Sequence, residues 1–165
     1  MLPDGVHNWT PLVQFPMQIT RATDYAVRVM VELATLPAGQ KMQLNALAEV
    51  TGVCGTFLSK ILQRLVHQGL VSSHRGTGGG FCLKLAPENV TLLHVVEAME
   101  GPTRLNLCLG EDPGCERKSW CGVHPIWRNA QSALTAVLRG VSIAQLAEEA
   151  TAHLRKSCEL EPLQG

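Results

Sequence analysis

NALAEVTGVCGTFLSKILQRLVHQGLVSSHRGTGGGFCLKL (residues 45–85) reads as two short helices followed by a hairpin. Asn45 offers a cap for a helix over Ala46–Val50, and Gly52 ends it. A longer helix runs from about Gly55 to Gln68, with Leu58, Ile61, Leu62 and Leu65 on one face and Gly69 closing it. A helix–turn–helix needs a small residue where the helices cross, a turn residue free to turn left-handed, and apolar anchors on the second helix. Ala48, Gly52, Leu58 and Ile61 supply them at steps of four, six and three. Leu70–His74 and Phe81–Leu85 then form two strands joined by Arg75-Gly-Thr-Gly-Gly-Gly80, which is the pattern of a wing. A phosphate-binding loop fits less well, because no Lys-Ser/Thr follows and the order is not strand, glycine loop, helix.

That pattern points to double-stranded DNA. Thr56, Ser59, Lys60 and Gln63 fall on the outward side of the second helix, where short polar and basic groups meet base edges or phosphates. Arg75 sits at the wing tip and can enter a minor groove, while Gly76, Thr77 and Gly78 let backbone amides approach phosphates. The chain has no net charge, which by itself argues against a polyanion ligand. From Val50 to Pro87, however, there are four Lys or Arg residues and no Asp or Glu. One positive face serves a protein that is neutral on average.

Outward from this stretch, Ala26, Val29, Met30, Leu33 and Leu36 recur at helical spacing in Thr20–Leu36, ended by Pro37 and Gly39. Downstream, Thr91 caps a helix over Leu92–Glu100, closed by Gly101-Pro102. A cysteine-bearing loop, 103–123, leads to a long helix from about His124 to Arg139, with Pro125 in its first turn, and a shorter one over Ile143–Leu154. Ile126, Ala130, Leu134, Val137 and Val141, broadened by Trp127, Ala133 and Leu138, form an apolar stripe suited to face another helix. Residues 1–16 hold three prolines and no periodicity, and read as a disordered leader or an upstream start. With aromatics at 4%, the core must be aliphatic. No apolar run approaches the roughly 20 residues of a membrane span, and no secretory signal is present, so the expected location is the cytoplasm.

Six cysteines in such a chain favour metal or redox chemistry over disulfides. Cys108, Cys115, Cys121 and His124 follow the spacing Cys-x6-Cys-x5-Cys-x2-His. Thiolates hold iron–sulfur clusters, and an imidazole can replace one of them. Zinc accepts the same donors, although its sites favour paired Cys-x2–4-Cys knuckles that are missing here. The amides opening the long helix at His124 would favour an anionic cluster. Cys54, Cys82 and Cys158 read as small buried apolar groups. No Cys-x-x-Cys motif and no nucleophile–base–orienter set is present, so the chain reads as a non-enzyme.

From Met17 to about Ala150 the chain resembles the Rrf-two family of winged-helix transcription regulators. The matching stretches are TRATDYAVR (20–28), FLSKILQRL (57–65), GLV (69–71), RGTGGGF (75–81) and CGVHPIW (121–127). The resemblance implies a mostly α homodimer with a two-stranded wing in each subunit and a long crossing dimerisation helix. It also implies a two-iron or four-iron cluster on Cys108, Cys115 and Cys121. Its fourth ligand is either His124, as some members use, or Asp24, which matches an aspartate that others bring from the partner subunit.

The expected organisation is a leader (1–16), a winged helix–turn–helix domain (17–101), a cluster loop (102–123), a dimerisation helix with a C-terminal helix (124–156) and a tail (157–165). The expected function is a repressor whose cluster responds to nitric oxide, redox state or iron–sulfur supply. The alternative is a cluster-free or zinc-binding member that regulates transcription through a protein partner.

Overall fold

The computed structural model describes residues 19–110 and 115–159, with 154–159 described by their backbone alone. The expected leader lies outside the described residues. In chain order the elements are α1 (Arg21–Ala34), α2 (Leu44–Thr51), α3 (Gly55–His67), β1 (Val71–His74), β2 (Gly80–Leu83), α4 (Leu92–Glu100), α5 (His124–Arg139) and α6 (Ile143–Glu159). Short 3-10 turns occupy Pro87–Asn89 and Leu107–Leu109. This is the mostly helical winged-helix architecture that the sequence leads one to expect.

The boundaries that differ do so for local reasons. Helix α1 stops at Ala34 rather than Leu36, because the Thr35 amide and hydroxyl both turn back onto Glu32 O. Helix α2 starts at Leu44 with Gln43 as its N-cap, so Asn45 lies inside the first turn and is not the cap. The cause is Met42, whose amide and carbonyl pair with Phe81 at 2.9 Å each and hold the chain extended until Gln43. Strand β1 begins after Leu70, whose amide instead closes α3 by donating to Leu65 O at 3.0 Å. Strand β2 opens on Gly80 and ends at Leu83, short of Leu85. Helix α6 continues to Glu159, past the expected end at Leu154, since no Gly or Pro interrupts it.

The core is aliphatic. Ala26, Val29 and Met30 of α1 are fully enclosed with Leu47 of α2, Leu58, Leu62 and Leu65 of α3, and Val95 of α4. Ile143 of α6 joins them, so the C-terminal helix returns to pack on α1. Gly52 sits at φ 67°, the left-handed conformation that turns α2 into α3, and the Val53 side chain plugs the corner beneath it. The wing is an antiparallel pair with Ser72 opposite Cys82 and His74 opposite Gly80.

Helix α5 spans the residues expected, but its stripe divides. Leu134 and Leu138 turn inward onto Leu93 and Val96 of α4 and form a second small core. Only Ile126, Ala130, Ala133 and Val137, with Trp127 beside them, remain exposed. The outward face is therefore narrower than the periodicity alone suggests, because helical positions a turn apart serve two surfaces.

Candidate functional site

Helix α3 carries the outward residues on a rigid support. Its inner residues Leu58, Ile61, Leu62 and Leu65 are buried, which turns Thr56, Lys60 and Gln63 to solvent and leaves Ser59 half-buried. Arg75, Gly76, Thr77 and Gly78 are all exposed at the hairpin tip, and among the described residues Arg75 has no ion-pair or hydrogen-bond partner. The root of the hairpin is crowded. A Cβ on Gly79 would lie 2.4 Å from His74 O, and one on Gly80 would lie 2.6 Å from Met42 O. Glycine is required there by close backbone approach.

Cys54 departs from its expected buried role. It is exposed at the N-cap of α3, with Sγ 3.3 Å from Thr56 Oγ1. The Thr56 hydroxyl, aided by the Thr56 and Phe57 amides, holds this thiol below its ordinary range. Cys82 is half-buried, with Sγ 3.7 Å from His74 Nε2. Cys158 lies in α6, with its side chain outside the described residues.

The cysteine loop is pinned at its start on both sides. The Thr103 amide donates to Glu97 of α4 at 3.3 Å, and the Leu105 amide donates to Gln131 of α5 at 3.2 Å. Cys108 follows in a 3-10 turn; Cys115 opens a turn bonded back from Lys118; Cys121 accepts from the His124 amide at 3.2 Å. All three are half-buried free thiols. His124 is only 4% exposed, and its Nδ1 is buried without a hydrogen-bond partner. A buried imidazole nitrogen left unpaired carries a desolvation cost, which a metal or cluster iron at that nitrogen would remove. Asp24 is exposed in the first turn of α1 and pairs with Arg28 at 2.9 Å.

The donor chemistry therefore suits a soft metal centre. The donors are not gathered, however: among the described residues no three His, Cys, Asp or Glu side chains converge on one point. Residues 111–114, between the first two cysteines, lie outside the described residues. The amides expected to serve an anion at the start of α5 are also used within the chain. Those of His124 and Ile126 bond Cys121 O and Val123 O, and Pro125 has none. Only the helix dipole remains to favour negative charge there.

Residues 19–149 match the model of the Rrf2 family, described as iron-dependent transcriptional regulators. The chain belongs to the Rrf2 family. Among its relatives, the transcriptional regulator IscR of Aliivibrio salmonicida is 30% identical over 130 residues, 79% of this chain and 77% of that protein. The transcriptional repressor NsrR of Streptomyces coelicolor is 33% identical over 131 residues, 79% of this chain and 88% of that protein. In structure, the chain is similar to CymR, the global cysteine regulator of B. subtilis, with a TM-score of 0.65 and 24% identity over 81% of this chain and 98% of that one. It is also similar to the IscR of T. potens, with a TM-score of 0.61 and 21% identity over 90% and 94%.

As an Rrf2 protein the chain is a DNA-binding transcription regulator and not an enzyme. No helix among the described residues is long and apolar enough to cross a membrane. Two features of this Rrf2 chain escape sequence reading. The Met42–Phe81 pairing that docks the wing is a single bridge, too short to leave a strand pattern. The Thr91–His94 capping box uses an imidazole where the recognisable pattern has Glu or Gln.

Proposed function

We propose that this Rrf2 chain is a cytoplasmic homodimeric repressor whose operator affinity follows the state of an iron–sulfur cluster on Cys108, Cys115 and Cys121. Nitric oxide, redox state or iron–sulfur supply would be the signal. The observation that carries this reading is the buried, unpartnered Nδ1 of His124 three residues beyond Cys121. It favours His124 as the fourth ligand over Asp24, which the Arg28 guanidinium already engages. When bound, the cluster supplies a centre that reacts with oxidants and nitric oxide.

The protein's own residues provide the rest. Glu97 and Gln131 fix the start of the loop between α4 and α5. The exposed face of α5, where Ile126 is 60% and Val137 66% exposed, is an apolar surface for the second subunit. Thr56, Ser59, Lys60 and Gln63 on α3 would meet the major groove, and Arg75 with Gly76, Thr77 and Gly78 the minor groove and adjacent phosphates.

The test is anaerobic purification followed by iron and sulfide analysis. A brown protein is expected, turned colourless by Cys115→Ala and unaffected by Cys54→Ala, Cys82→Ala or Cys158→Ala. His124→Ala should alter the cluster spectrum where Asp24→Ala does not. The second reading, a zinc-binding or cluster-free regulator acting with a protein partner, draws on the dispersed donors and on the likeness to CymR. A colourless wild-type protein carrying stoichiometric zinc or no metal establishes that reading instead.

A further inference from the structure

The last turn of α4 touches three segments, through the Glu100 and Glu97 side chains and the Ala98 carbonyl. Glu100 reaches α1: its Oε1 accepts from the Thr20 amide at 3.2 Å, from the Thr20 hydroxyl at 2.7 Å and from the Thr23 hydroxyl. Thr23 is fully buried and immediately precedes Asp24. Arg64 reaches in from α3. Its Nε donates to Ala98 O at 3.0 Å, filling the carbonyl whose helical partner would be the amide that Pro102 lacks. Its positive charge also acts on the Glu100 carboxylate. Glu97 reaches the cysteine loop through the Thr103 amide.

One helix end thus holds the start of α1, the C-terminal turn of the recognition helix and the entrance to the cysteine loop. The Arg64 bond completes the C-terminal end of α4, but the Glu100 bonds do not: they serve α1, and α4 is already capped at its N-terminus by Thr91. A displacement of the loop that tilts α4 must move Glu100. Because three donors from the start of α1 converge on one carboxylate oxygen, and Arg64 of α3 holds the Ala98 carbonyl two residues before it, α1 and α3 must follow or lose those bonds. We infer that Glu100 is the positioning residue that, through α1 and beside the Arg64–Ala98 bond joining α4 to α3, makes the pose of the recognition helix depend on the cysteine loop. The inference rests on the regulator reading above and adds the residue through which regulation acts. Glu100 itself touches neither DNA nor the loop.

The experiment compares wild type, Glu100→Ala and Thr23→Val, each with cluster and after its removal by chelation. Operator dissociation constants are measured at matched salt, and amide hydrogen exchange is measured without DNA. Wild type should change its operator affinity at least tenfold between the two forms. Both variants should change less than threefold while keeping cluster content and cooperative melting. In the cluster-free protein, Glu100→Ala should speed exchange in the last turns of α3 as well as in the first turn of α1; a purely local cap would alter α1 alone. Thr23→Val removes only a hydroxyl at constant shape and decides the matter if Glu100→Ala does not fold. A variant that keeps the full wild-type ratio, or exchange changes confined to α1, overturns the inference and leaves the regulator reading standing. A wild-type protein that binds operator equally with and without its metal centre overturns both.

Discussion

Two regions of this chain bury their apolar residues in opposite ways. From α1 to β1 most of the large apolar residues face one another, and Val29, Met30, Leu47, Leu58, Leu62 and Leu65 have no exposed surface, although Val50 and Phe57 stay exposed. From Leu107 to Val137 most of the large apolar residues face outward instead: Leu107, Trp120, Val123, Ile126, Trp127 and Val137 are all exposed, Trp120 by 71%, while Leu134 packs on α4. The first region buries most of its apolar surface within one subunit. The second leaves much of its apolar surface open to solvent. Buried and exposed apolar surface are thus separated along the sequence, and substitutions in the two regions should fail differently.

The largest effect on folding belongs to the first region. Leu58→Ala leaves a cavity where three helices meet and should cost about 2–5 kcal/mol, seen as a lower midpoint in urea with little change in slope. Its counterpart, Ile126→Glu, should leave the urea midpoint of the isolated subunit unchanged. It should raise the dimer dissociation constant by about two orders of magnitude, the cost of burying an unpaired carboxylate. Urea denaturation checks the first half of that contrast and sedimentation at micromolar concentration the second. A wild-type monomer, or an equal loss of subunit stability from both substitutions, would erase the distinction.

A third substitution touches neither core. Arg75→Ala at the wing tip should weaken operator binding by roughly 1–3 kcal/mol and lower the salt slope by about one unit per subunit. Cluster content and dimerisation should not change. Operator affinity equal to that of wild type at matched salt would remove the wing from the interface.

The smallest effect is acid-dependent. Burial pushes the Glu100 carboxyl up, but the hydrogen bonds from Thr23 and Thr20 and the attraction of Arg64 outweigh it and hold the group below its ordinary value. A carboxylate depressed in the folded state contributes stability above the usual glutamate value of about 4.3, and that contribution is lost as pH falls through the lower folded value. Glu100→Gln should therefore narrow its deficit relative to wild type on acidification. The change is under about 1 kcal/mol, because the site is partly solvated. A deficit independent of pH between neutrality and the acid transition would contradict this account.

How much was legible in the sequence follows the same division. The helix–turn–helix could be read because Ala48, Gly52, Leu58 and Ile61 act through local geometry, each fixed by backbone conformation or helical period. The same holds for α4 and for α5, whose start is marked by Pro125. What could not be read depends on meetings across the chain. Met42 finds Phe81, Glu100 finds Thr20 and Thr23, and Arg64 finds the carbonyl orphaned by Pro102. Each involves residues common in any solvated loop or helix end, so composition carries no trace of the pairing. The cysteines are the intermediate case. Their spacing leaves an iron–sulfur cluster and zinc both open, and a sequence cannot tell that the His124 nitrogen is buried and unpaired while Asp24 is engaged by Arg28.

The docking of the wing on Met42 has a consequence for how a regulator of this kind measures its binding site. A hairpin on a loose tether would let Arg75 slide along the duplex until it found a suitable phosphate or groove edge. Here two backbone bonds join Phe81 to the segment entering the helix–turn–helix, and Gly79 and Gly80 allow the strands to close without a side chain between them. In the proposed complex the outward face of α3 and the wing tip would therefore act as the two jaws of a caliper set by the fold. An operator lengthened by one base pair between the two contacted stretches would satisfy one jaw at the expense of the other, so spacing becomes as much a part of the recognised sequence as the bases.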